Sequence, residues 1–137
     1  MSRYVRVDLG LAVAREELLA ALAALELGVE IEQAAFVDDR VMLEGSLECA
    51  GEPVDLRLPA GTLGSVEDLG FVREADRWRL VCGELDTRTL EAELLAPLRQ
   101  TLALARVRGA AAAAGLSLEE QLEADGSRRL RLREGRD

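Results

Sequence analysis

Two hydrophobic periods divide this chain, and their order limits what it can fold into. Apolar residues that recur every three or four positions predict helix; apolar residues that alternate with polar ones predict strand. Helical spacing is confined to residues 12–27 and 87–114. In the first stretch Leu18, Leu22 and Leu25 repeat, Arg15, Glu16 and Glu26 supply the wet face, and Gly28 suits the position just past a helix end. In the second, Leu94, Leu98, Leu102 and Ala105 form one stripe between a cap at Asp86 or Thr87 and a stop at Gly115. Pro97 either begins a new helix there or kinks a continuous one.

The remainder alternates. A strand is predicted over 3–9, broken by Gly10, and an extended segment over Val29–Phe36 ends in a turn at Val37-Asp38-Asp39. Strands follow over 40–49 and 53–58, separated by Ala50-Gly51. Residues 68–73 and 77–85 read as a hairpin closed by Glu74-Ala75-Asp76, and 116–122 with 129–133 as another around Asp125-Gly126. The order β-α-β-β-β, loop, β-β-α-β-β predicts an α+β fold: an antiparallel sheet of hairpins with two helices (about 12–27 and 87–114) on one face. The loop at about 59–67 then joins two halves of a single domain, 1–137, because either half alone would bury too little apolar surface to fold.

Composition removes much chemistry. There is no histidine, and all 17 basic residues are arginines. A histidine base, histidine metal ligands, lysine Schiff bases and a phosphate-loop lysine are therefore excluded. The two cysteines, Cys49 and Cys82, fall in phase with apolar neighbours and read as buried small hydrophobes. They are too few for a zinc or iron–sulfur site within one chain, and no cofactor or metal is expected. The 26 acidic residues give a net charge of −9, which repels nucleic acid. Arg15, Glu16 and Glu17 within the first 20 residues argue against a signal peptide, and no apolar run approaches the ~20 residues of a membrane span. A cytoplasmic protein that binds neither membrane nor nucleic acid is the expectation.

Few residues stand out as sites. Asp68, ahead of Leu69-Gly70-Phe71, reads as a turn into a strand or as an exposed carboxylate able to bind a partner. Gly70 permits close backbone approach and Phe71 enters the core. The loop Gly61-Thr62-Leu63-Gly64-Ser65 could offer N–H groups to an anion, though it lacks a lysine and a strand–loop–helix setting. Asp38-Asp39 and Glu119-Glu120 are adjacent carboxylates that strand geometry sends to opposite faces. Arg129, Arg131 and Arg133 share one face of the last strand. They form either a solvated face balanced by Glu119 and Glu123 or a docking surface for an acidic protein or a phosphate-bearing ligand.

The succession of segments resembles the Ycf-thirty-five-like family, a domain of unknown function numbered twelve-fifty-seven and found in plastid, cyanobacterial and other bacterial proteins. The residues that carry the resemblance are an opening Met-Ser and strand, a helix Glu16-Glu17-Leu18-Leu19 running to Leu27-Gly28, and Asp68-Leu69-Gly70-Phe71. Trp78 in the next hairpin, Leu98-Arg99-Gln100, Gly115 through Glu120 and Asp125-Gly126-Ser127 complete it. The chain departs from the family at Thr101-Leu102, where a tyrosine is usual, and at Gly83-Glu84-Leu85, where tryptophans are usual. The resemblance implies a soluble protein of the cytosol or stroma, sometimes encoded beside AAA-type ATPases, and so an AAA-type ATPase as a partner.

Residues and resemblance together predict a non-enzymatic protein-interaction or adaptor module. Its candidate partner-binding residues are Arg129, Arg131, Arg133 and Asp68. The alternative is a small-ligand binder or enzyme using Asp/Glu and Arg in a pocket between sheet and helices.

Overall fold

A computed structural model describes residues 3–34, 39–45, 51–122 and 128–134. They form two compact units, Met1–Gln100 and Thr101–Asp137. The fold is α+β, and every strand pair is antiparallel.

The first unit is built on a five-stranded sheet in the order β1-β7-β6-β5-β2. Its strands are β1 (Tyr4–Ala12), β2 (Glu32–Gln33), β5 (Leu56–Leu58), β6 (Leu69–Glu74) and β7 (Arg77–Gly83). β1 does not stop at Gly10. That glycine takes φ +84° and gives its N–H to Asp8 Oδ1, forming a bulge past which Ala12 pairs with Arg77. Helix α1 therefore spans Arg15–Ala24 rather than 12–27. Its cap, Ala14, has no capping side chain, and Glu17 reaches back to the Ala14 N–H instead. The segment expected to be extended over 29–36 keeps only the two residues of β2 in a ladder, and Phe36 lies outside the described residues.

Residues opposite one another across the ladders share a face. Leu56, Leu58, Leu69, Phe71, Trp78, Leu80 and Cys82 lie on one face, all 0–1% exposed. The helical segments join this face where Trp78 Nε1 donates to the Val13 carbonyl just ahead of α1 and Cys82 Sγ lies 3.8 Å from the Thr87 hydroxyl; they bury Leu18 and Leu22 from α1, and Leu90, Leu94 and Leu98 from the run that begins at Thr87. That run is α2 (Thr87–Leu90), a π turn (Glu91–Leu95) and α3 (Ala96–Ala113). The wide turn closes with Ala96 N–H on the Glu91 carbonyl, one residue ahead of Pro97. Proline has no N–H to give the carbonyl four residues back and its ring crowds it, so the helix loosens here without ending.

The other face of the sheet is apolar too. Val72 and Val81, both at most 1% exposed, join Leu43 and Val54 in a second cluster edged by Tyr4 and Val41. Its cover is a small ribbon of β3 (Val41–Met42) and β4 (Pro53–Val54). The strand expected over 40–49 is thus reduced to β3 and the Leu43 N–H on the Glu52 carbonyl; residues 46–50, with Cys49, lie outside the described residues. Asp55 separates β4 from β5. It is the point where one extended segment leaves the ribbon for the main sheet, held by its N–H on the Phe71 carbonyl and its Oδ2 on the Arg73 N–H.

In the second unit β8 (Leu116–Leu122) pairs with β9 (Arg128–Glu134), as the alternation predicts. No helix among the described residues is long and apolar enough to cross a membrane.

Candidate functional site

Asp68 opens β6 and is 3% exposed. A carboxylate taken out of water must be fully hydrogen-bonded, and this one is. It accepts the Tyr4 hydroxyl from β1, the Glu44 N–H at 2.7 Å, the Gly45 N–H at 3.1 Å and Arg57 Nε at 2.8 Å. Burial pushes its pKa up, but the bonds from Tyr4, Glu44, Arg57 and Gly45 outweigh that and hold it below the usual aspartate value. Such a group stays ionised and is not poised to donate a proton. Asp68 ties β1, β5, β6 and the chain after β3 together.

Arg57, 16% exposed, is the other half of this hub. Nε meets Asp68, Nη1 meets Glu32 at 3.2 Å and Nη2 lies 3.7 Å from Glu44. Burial lowers its pKa, and the Asp68 and Glu32 bonds more than restore it. An open polar cleft of about 390 Å³ lies above it, lined by Glu32, Asp39, Arg40, Met42 and Glu44 among others. Arg57 enters that cleft with every nitrogen engaged, so it has no fork to offer an anion without losing a carboxylate partner.

Asp86, buried like Asp55, does structural work that the sequence pattern does not reveal. Asp86 accepts the Val66 N–H at 2.9 Å and the Glu67 N–H at 3.1 Å, clamping the 59–67 loop to the short turn before α2. Val66 and Leu85, 67% and 76% exposed, stand on the two segments it joins. The loop is therefore an ordered connection, with a one-turn 3-10 helix at Thr62–Gly64. Its Gly61, Gly64 and Ser65 N–H groups go to the carbonyls of Ser65, Gly61 and Thr62, so they are not presented to an anion.

Cys82 is fully buried and unpaired. Burial raises its thiol pKa, the Thr87 hydroxyl lowers it, and Asp86 and Glu91 raise it further, for a net shift upward. A thiol so placed is a poor nucleophile. Among the described residues no group of acidic and cysteine side chains is arranged to hold a metal ion.

Of the four residues read as partner-binding, Asp68 is in the first unit and the three arginines are in the second. The register sets Arg129, Arg131 and Arg133 opposite Gln121, Glu119 and Ser117, so these positions share one face of the β8–β9 ribbon. Leu130 and Leu132 occupy the alternate positions, opposite Glu120 and Leu118. Glu119 and Glu120 fall on opposite faces; Asp38 and Glu123 lie outside the described residues.

The last feature is a sheet edge. Among the described residues β2 is the terminal strand, and the Ala34 N–H on the Asp55 carbonyl fixes which residues face β5. Glu32 and Ala34 face inward, so Gln33 between them turns its backbone groups outward. Beside this edge an open groove of about 410 Å³ runs along the end of α1, lined by Leu19, Leu22, Ala23, Leu27, Ile31 and Gln33 among others. Among the described residues, fold and site together define an α+β unit with an antiparallel sheet, buried carboxylates that are hydrogen-bonded, and a sheet edge at β2. No family model, curated protein or solved structure matches the chain.

Proposed function

We propose that this chain is a non-enzymatic protein-interaction module acting in the cytoplasm. The observation that carries the reading is the pair Val66 and Leu85, exposed on two segments that the buried carboxylate of Asp86 clamps together. Single exposed apolar residues are ordinary on any protein. Two on neighbouring segments fixed by a shared carboxylate form a contact that is organised before a partner arrives, and so loses little entropy on docking.

The ionisable groups an enzyme would draw on support the same reading. Asp55, Asp68 and Asp86 are occupied with backbone N–H groups, Arg57 with three carboxylates, and the Cys82 thiol is raised by burial. The first partner to test is an AAA-type ATPase, with Arg129, Arg131 and Arg133 as a second contact for an acidic surface on it.

The test is quantitative mass spectrometry of proteins co-purified with the tagged full chain from its native host. The double variant Val66→Asp/Leu85→Asp should remove at least one wild-type partner, because each aspartate places a charge in an apolar contact. Equal recovery of every partner by the folded double variant rejects this surface.

A further inference from the structure

We propose that the outer edge of β2 takes up an extended peptide segment of a partner protein, one with apolar residues on one face and arginine or lysine on the other. The proposal deepens the interaction-module reading and rests on it.

Gln33 directs its N–H and C=O groups away from β5, Ile31 stands two residues ahead of it just before the ladder, and the structure gives neither a backbone hydrogen-bond partner among the described residues. An edge of this kind is a template for strand addition.

Ile31 and Gln33 also line the apolar groove with Leu19, Ala23 and Leu27 of α1 and the segment after it. On the opposite side Glu30 and Glu32, both exposed, line an open cleft of about 540 Å³ with Ile31, Arg57 and Pro59, so Ile31 borders both hollows. Successive side chains of an added strand point to opposite faces. One set would enter the apolar groove and the other would meet Glu30 and the carboxylate that Glu32 shares with Arg57. Glu26, exposed at the groove's rim, adds a third carboxylate. The matching segment alternates apolar and basic residues.

A second copy of this chain fits less well. Pairing β2 with β2 would bring Glu30 and Glu32 of one copy against those of the other, and like charges across a ladder oppose pairing. The net charge of −9 works the same way at longer range.

The test is selection from a displayed library of peptides roughly nine residues long, alternating fixed apolar and randomised positions. The intact chain is the bait, and enriched peptides are followed by amide hydrogen exchange. The expected result is enrichment of Arg/Lys at the randomised positions and slowed exchange at the Ile31 and Gln33 amides. Gln33→Pro removes the outward N–H while leaving the β5 ladder untouched, and should weaken binding by about tenfold or more. Ile31→Glu on the groove wall provides a second variant should proline disturb the fold. Glu30→Arg should cost about tenfold, mostly at low salt. No enrichment over the Gln33→Pro bait, or protection confined to other amides, overturns the proposal. Partner capture from the host that survives in Gln33→Pro alongside a failed selection rejects the edge alone. Selected peptides that bind at β2 while the host yields no partner reject the broader reading alone.

Discussion

Asp68 shows what a single residue can decide in this protein. Its donors come from Tyr4, Glu44, Gly45 and Arg57, 64, 24, 23 and 11 positions away, so no local pattern could have announced them. The sequence marks Asp68 only as an acid beside a loop; that its four donors converge on it depends on three other segments arriving. Asp68→Asn keeps the shape but removes the charge that holds Arg57 and gives an N–H where an acceptor is needed. It should destabilise the fold by about 2–4 kcal/mol at neutral pH in urea unfolding. Because the folded pKa lies below the unfolded value of about 3.9, the unfolded state takes up the proton first as pH falls. The Asp68 contribution is therefore complete above about pH 5 and is lost as pH drops through the folded value. The gap between wild type and Asp68→Asn should stay constant from pH 7 to about 5 and close below that. A gap that widened in acid would show that Asp68 is not held ionised by these bonds.

At the scale of elements, Gly70 was legible and the second core was not. The Asp-Leu-Gly-Phe segment predicts close backbone approach at the glycine, and a Cβ there would lie 2.6 Å from the Leu56 carbonyl oxygen and 2.7 Å from Val54 Cγ2. One of these obstacles is backbone, which cannot rotate aside as a side chain would. Gly70→Ala should cost about 1–3 kcal/mol, read as a lowered midpoint of thermal or urea unfolding. Alternation predicts a sheet with one apolar face, whereas Val72 and Val81 bury the other beneath β3 and β4. A signal was present: Phe71-Val72 and Leu80-Val81-Cys82 break strict alternation, as strands buried on both faces do. The helices were legible in type and place because their period is local. Their ends were not, since the Gly10 bulge continues β1 to Ala12 and the π turn ahead of Pro97 lets one helical run continue.

At the scale of the whole molecule, charge governs what the chain meets. If the face of Arg129, Arg131 and Arg133 docks an acidic partner, replacing all three with glutamate should abolish that binding, and the triple glutamine variant should weaken it by about tenfold or more. The salt dependence of binding should flatten in both. The glutamine variant matters because position 131 stands opposite Glu119 in the ladder, and a like charge there would cost the ribbon about 0.2–1 kcal/mol on its own. Undiminished binding by both variants at physiological salt would leave the arginines as a solvated face. The sequence by itself determined the α+β class, the position of both helical runs, the hairpin 69–83 and the pairing of 116–122 with 128–134, because periodicity acts between neighbours, while the turn read at Asp125-Gly126 lies outside the described residues. Only the tertiary structure decided that β1 pairs with β7, that β2 closes the far edge against β5, and that Asp55 divides one extended segment between two sheets. Those outcomes depend on which buried faces and which carboxylates meet across long stretches of chain, and that choice is made by burial and hydrogen-bond satisfaction of the whole core rather than by any local preference.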